Sequence, residues 1–319
     1  MDLVRFIIRR LAAGIVLLLV VSLVIFVACE FLPGDVAEIM LGQSASPENV
    51  QALRVELGLD KPSYLRFLAW IWGMFHADWG ISLTTRLPVA DMLSERLANT
   101  LVLAGLTTLV AVPLALGLGI VLAVRKGTKL DRFGTVAIVG LCSTPEFLVA
   151  TVGVLVFAIH LHWLPAISYL SPGQGVFPFM KSILLPFATM TIIIGAQIAR
   201  MTRAIVGDIL TQPYVEMARL KGASGTRVVV HHVLRNAVGP LVNIVSLNVA
   251  YLVSGVVIVE TIFAYPGLAR LMADSVLARD LPVVQSCAII FCAAYIALIM
   301  LADIIAHLSD SRAKDGAIS

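Results

Sequence analysis

The pattern of this 319-residue chain is set by six long apolar runs separated by polar segments. The runs cover residues 11–32, 101–124, 133–159, 182–199, 237–259 and 283–306. A helix needs about 20 such residues to cross a hydrocarbon core. The pattern therefore predicts an all-α integral membrane protein with about six transmembrane helices. Residues 47–57 have the charge and spacing of a short amphipathic helix opened by Ser46-Pro47. Residues 64–75 carry Tyr64, Phe67, Trp70, Trp72 and Phe75. Trp and Tyr favour the membrane interface, so this piece is expected to lie along the outer surface. Segments 160–181 and 260–282 are short connections.

One polar stretch is of a different kind. Residues 214–240 form a basic, small-residue-rich island between two apolar runs. The spacing predicts a short helix over 214–221, stopped by Gly222, then a turn through Thr226 and a second helix leading into the next span. Glycine just past a helix takes the left-handed conformation without steric cost. An exposed short helix ending in small residues is a shape another protein can dock against; an ordinary solvated loop is the plainer reading.

Composition sharpens the class. The chain is 59% hydrophobic and 13% charged, against about 25% charged in soluble domains. The net charge of +3 gives no reason to expect nucleic-acid binding. Cys29, Cys142, Cys287 and Cys292 all lie in apolar runs and read as small buried hydrophobes.

Charge placement sets the orientation. Fifteen Lys and Arg fall in residues 1–10, 125–132, 200–236 and the tail, and eight in the alternate set. Five of those eight lie in the long segment 33–96, which the positive-inside rule discounts. Both termini and the island are therefore expected to be cytoplasmic. Val27-Ala28-Cys29 hints at a lipoprotein cleavage site, but Phe26 fits it poorly, and the first run reads as a retained span. The expected organisation is a cytoplasmic N-terminus and first span (1–32), an outer segment with short helices (33–96), a five-helix core (97–306) with a cytoplasmic loop at 200–236, and a cytoplasmic tail (307–319).

Candidate chemistry is sparse. No G-x-x-x-x-G-K-[ST] phosphate loop, G-x-S-x-G or H-E-x-x-H is present. His160 and His162 beside Trp163 read either as a transient metal contact or as interfacial polar residues, with the second preferred. Charges inside spans cost at least about 2.5 kcal/mol and need a reason. Glu146 follows Pro145 near the middle of the third run. It either lines a polar pathway, with Pro145 kinking the helix, or is buried against a partner helix or protonated. Glu30 and Glu260 sit at outer ends, in reach of water. Asn243 and Asn248 in the fifth run are candidates for the path but read first as inter-helix hydrogen bonders. Pro113, Gly117 and Gly119 suggest a bend or close helix packing.

The island resembles the cytoplasmic loop signature of permease subunits of binding-protein-dependent ABC importers. That signature is Glu-Ala-Ala, three residues, then Gly. It stands here as Glu216, Met217, Ala218 and Gly222, with Met217 in place of the first Ala. Ala218-Arg219-Leu220-Lys221-Gly222, His232-Val233-Leu234-Arg235-Asn236-Ala237 and Pro240 resemble the dipeptide/oligopeptide subgroup, which also includes nickel and glutathione permeases. So do Leu32-Pro33-Gly34-Asp35, Gly58-Leu59-Asp60-Lys61-Pro62, Asp78-Trp79-Gly80-Ile81-Ser82, Trp163-Leu164-Pro165, Tyr265-Pro266-Gly267-Leu268 and Arg279-Asp280-Leu281-Pro282. The tail departs from the family's Asp-Pro-Arg, reading Asp310-Ser311-Arg312.

The resemblance implies a type I ABC importer permease fold and a non-catalytic membrane subunit in a bacterial inner membrane. It implies a homologous second permease subunit, two ATP-binding subunits holding ATP and Mg, and an extracytoplasmic solute-binding protein, with no cofactor on this chain. It further implies that 214–224 is a coupling helix, with Tyr214, Glu216, Ala218, Arg219, Lys221 and Gly222 facing an ATPase. Glu216 would be a polar anchor, Ala218 a close-packing point and Gly222 the sharp turn. Di- or oligopeptides are the expected cargo, with nickel, glutathione or another small solute as the alternative. An ATPase-independent secondary transporter fits less well, since the halves show no inverted repeat, and a membrane enzyme lacks any nucleophile–base or metal cluster.

Overall fold

The fold was read from a computed structural model that describes residues 3–31, 36–41, 43, 45–169, 173, 175–253 and 257–309. Gly34-Asp35 and the tail motif from Asp310 lie outside the described residues. The helices are α1 (Leu3–Glu30), α2 (Val36–Leu41), α3 (Pro47–Glu56), α4 (Ser63–Phe75), α5 (Val89–Val124), α6 (Lys129–Ser143) and α7 (Glu146–Gly153). Then follow α8 (Val176–Leu210), α9 (Pro213–Leu220), α10 (Gly225–Arg227), α11 (Arg235–Val253), α12 (Val257–Ile262), α13 (Leu268–Leu277) and α14 (Leu281–Ser309). Two π-helical turns, Val154–His160 and Val228–Leu234, extend α7 and join α10 to α11. Among the described residues the only β pairing is an isolated bridge between Ile81 and Pro88.

Among the described residues five helices are long and apolar enough to cross a membrane, or six if one bent pair is counted as a single span. That pair is α6 and the α7 segment, which turn by 99° at Thr144-Pro145. Proline has no N–H to give and pushes the residue before it out of the helical region. Thr144 is accordingly extended, at φ −83° and ψ 126°. The apolar run 133–159 is thus two helices rather than one kinked span. Span ends also lie further out than the apolar runs, because hydropathy marks the bilayer and not the end of a helix. In the fifth span the helix already begins at Gly225 and passes through His231, His232 and Arg235 to the end of α11 at Val253.

The chain divides into two compact units. The first, Met1–Asn99 with Gly267–Ala293, holds the predicted amphipathic helix as α3. The Ser46 side chain caps α3 by accepting from the Asn49 N–H (3.2 Å). Phe67 and Trp70 of α4 stack near Phe26 of α1, with ring centroids 5.3 and 6.1 Å away. Glu30 is paired with Arg66. Val89, Leu93, Leu268, Leu271, Val283 and Cys287 form an apolar core. Arg279, at φ +58°, turns the end of α13 so that Asp280 points inward. The Asp280 carboxylate accepts from the Leu83 N–H (3.0 Å), the Thr84 N–H (3.3 Å) and the Ser82 and Thr84 hydroxyls.

The second unit, Thr100–Pro266 with Ala294–Ser319, contains the larger core, built on Leu103, Leu122, Ile183, Ile198, Leu252 and Phe263. At Gly119 a Cβ would lie 2.6 Å from Thr202 Cβ and 2.7 Å from the Ala199 carbonyl oxygen, so α5 and α8 pack in direct backbone proximity. A Cβ on Gly117 meets nothing, so only one of the two glycines is a packing point. Arg203 of α8 forks onto Asp131 of α6 at 2.7 and 3.1 Å, which puts segments 125–132 and 200–236 at one end of this unit. Ser168 donates its N–H to the Phe263 carbonyl (2.7 Å), which pairs segments 160–181 and 260–266.

Candidate functional site

The island folds as a short anchored helix. Pro213 occupies the first turn of α9, where its missing N–H costs nothing. The helix ends in a Schellman arrangement. The Gly222 N–H donates to the Arg219 carbonyl (2.9 Å), and the Ala223 N–H reaches back to the Ala218 carbonyl (3.1 Å). Gly222 sits at φ +82°, where a side chain is strained, and nothing lies within 4 Å of where a Cβ would be. Its role is therefore conformational rather than spatial. Ser224 starts the next helix, its Oγ accepting from the Arg227 N–H (3.4 Å).

One side of α9 is fixed. Val215 is fully buried against Ala123, Val206, Val228 and Val233. The opposite side is free. Tyr214, Met217 and Leu220 recur every three residues and so form one ridge. They are 44%, 53% and 76% exposed. Tyr214, Met217, Ala218, Lys221, Gly222, Ala223, Arg227 and His232 line a cleft of about 550 Å³ beside the ridge. Glu216 lies in the first turn of α9, where a carboxylate complements the helix dipole. Glu216, Arg219 and Lys221 are exposed, and Ala218 is half-buried. All six island residues predicted from the sequence thus sit on or beside one eight-residue helix. The Met217 and Leu220 ridge was not singled out, although its spacing was legible in the island.

The candidate path residues behave differently. Glu146 opens α7 at the bend and accepts a hydrogen bond from the Tyr251 hydroxyl of α11. Asn248 donates one amide N–H to the Ile244 carbonyl of its own helix (2.8 Å). Asn243 is exposed, on the same stripe of α11 as Leu247 and Tyr251 but about 12 Å along the axis from the tyrosine. Tyr251, the partner of Glu146, carries no sequence signal that would have paired the two. His162 lies with Trp163 and Lys181 around another cleft. No group of three or more His, Cys, Asp or Glu able to hold a metal ion occurs among the described residues.

Residues 115–315 match the family described as binding-protein-dependent transport system inner membrane component, and residues 3–104 match that family's N-terminal component. A probable peptide ABC transporter permease protein, y4tP of Sinorhizobium fredii, is 34% identical over 310 residues, covering 97% of this chain and 99% of that one. The glutathione transport system permease protein GsiC of Escherichia coli K12 is 35% identical over 302 residues, covering 94% and 96%. An inward-facing structure of the MetNI methionine ABC transporter superposes with a TM-score of 0.58 at 17% identity, covering 70% of this chain and 98% of that one, a likeness of fold alone. With two family matches that together run from residue 3 to residue 315, the chain belongs to the inner-membrane permease components of binding-protein-dependent transport systems.

Proposed function

We propose that this permease forms half of the translocation path of an ATP-driven importer of short peptides, and that α9 is its coupling helix. The observation that carries the coupling assignment is the Tyr214–Met217–Leu220 ridge. An apolar ridge left exposed on a capped helix, with Val215 holding the other side in place, is a rigid knob suited to a groove on a partner. The partner is an ATP-binding subunit, one of two, that holds ATP and Mg, since this chain has no phosphate loop. A homologous second permease subunit completes the path, and an extracytoplasmic binding protein delivers the solute. The excess of Lys and Arg in segments 1–10, 125–132 and 200–236 favours a cytoplasmic island and N-terminus in a bacterial inner membrane. Closure of the ATPases on ATP would move α9 as a unit, because the helix is fixed to α5, α8 and the 228–234 turn through one apolar cluster.

Peptides are the favoured cargo because the near-full-length relatives are named as peptide and glutathione permeases, and glutathione is itself a short peptide. The test is to purify the assembled transporter with Leu220→Asp or Met217→Asp. Removing one buried leucine from an interface costs about 1.5–3 kcal/mol, roughly ten- to a hundredfold in affinity. Loss of the ATPase from the variant complex, with the two permeases still paired, is the expected result. Wild-type ATPase retention and stimulation in both variants would refute the coupling assignment.

A further inference from the structure

Glu146 is a carboxylate with no cation of its own. None of the six apolar runs contains a single Lys or Arg. Among the described residues its carboxylate has one hydrogen-bond donor, the Tyr251 hydroxyl, and no ion pair. A carboxylate in an apolar segment is costly unless it faces water or a counter-charge. The apolar runs themselves supply no Lys or Arg as counter-charge, and a cationic solute is one source of it.

The surroundings of Glu146 specify its chemistry. Tyr251 is 44% exposed, so the pair is open on at least one side rather than sealed in the core. A tyrosine that donates its proton to Glu146 still presents oxygen lone pairs. Asn248 stands one turn before Tyr251 on α11 and faces the same way. One N–H of its amide goes to the Ile244 carbonyl, and the side-chain oxygen is an acceptor. The break at Thr144-Pro145 brings Glu146 to the head of α7, free of the ladder of α6. The result is a set of acceptors, one carboxylate and two neutral oxygens. A divalent cation draws on more ligands than this, whereas an alkylammonium has three N–H donors to place on three acceptors.

We propose that Glu146, with Tyr251 and Asn248, is a binding site for the ammonium group of the transported solute. This rests on the peptide-permease reading and adds to it the part of the solute that the membrane subunit recognises. A free amino terminus is the feature that tri-alanine and glutathione share, so one site serves both. The charged hydrogen bond is transient, formed as the solute passes the bend, and the solute's ammonium offsets the cost of holding Glu146 ionised.

The experiment uses the complete transporter, with its second permease, ATPases and binding protein, in proteoliposomes. Uptake of tri-alanine and of glutathione is measured at sub-saturating concentration for wild type, Glu146→Gln, Glu146→Asp and Tyr251→Phe. A hydrogen bond to a charged group contributes about 1.5–3 kcal/mol, so Glu146→Gln is expected to lower uptake by about tenfold or more. Tyr251→Phe is expected to lower it about threefold, and Glu146→Asp to recover most of what Glu146→Gln loses. Equal uptake by wild type and Glu146→Gln, for either probe, would overturn the site while leaving the permease reading intact. Loss of the second permease from the purified Glu146→Gln complex would overturn it in favour of a contact between subunits. Wild-type transporter that takes up neither probe would instead refute the peptide reading.

Discussion

Gly222 offers the sharpest separation between backbone conformation and packing. Its φ of +82° lies in the left-handed region, and the position a Cβ would occupy is open. Replacement by alanine therefore carries no clash, only the cost of left-handed backbone, about 1–2 kcal/mol. That energy shifts the equilibrium between the closed Schellman end and an opened loop by roughly 5–30-fold. Gly225 is the internal control. It opens α10 without a positive φ, and a Cβ there also meets nothing. The same added methyl is thus neutral or slightly stabilising, by about 0.5–1 kcal/mol. In the assembled transporter Gly222→Ala is expected to be cleaved at 221–226 about fivefold faster by a trace protease, and to lose part of its solute-driven ATP hydrolysis. Gly225→Ala should match wild type in both assays. Identical behaviour of the two variants would refute the argument, because they differ in backbone conformation and not in the space available.

Two further outcomes follow from the cores of the units. Gly119→Ala forces a Cβ within 3 Å of Thr202 and the Ala199 carbonyl and is expected to destabilise by about 1–3 kcal/mol, whereas Gly117→Ala should leave the unfolding midpoint in detergent unchanged. Asp280→Ala strands the Leu83 and Thr84 N–H groups and the Ser82 and Thr84 hydroxyls, a loss of about 1–3 kcal/mol or more. A thermal midpoint within a degree of wild type would show that these donors find other partners.

The sequence by itself determined the class, the approximate spans and the place of the short island helix α9. Each of these rests on local information. A run of about 20 apolar residues is costly anywhere but in a bilayer, and a glycine after Pro213–Leu220 ends the helix through its own backbone freedom. Even the apolar ridge of α9 was legible, since Tyr214, Met217 and Leu220 repeat at helical spacing within a charged segment. What only the tertiary structure decided were events that depend on distant residues. Pro113, Pro186 and Pro240 sit inside continuous helices, while Pro145 ends one and turns the chain by 99°. The residue type is the same, so the local rule alone does not say which proline is accommodated in line and which breaks the helix. The motif Arg279-Asp280 was visible as a pattern, but its reason is a set of donors at residues 82–84, nearly two hundred positions away. Glu146 likewise stood out as a costly charge, yet its partner Tyr251 is 105 residues off and became its neighbour only when α7 and α11 met. Hydropathy and backbone propensity act over a few turns and can be read along the chain. Which carboxylate meets which donor is fixed by the approach of helices, and no local rule encodes that approach.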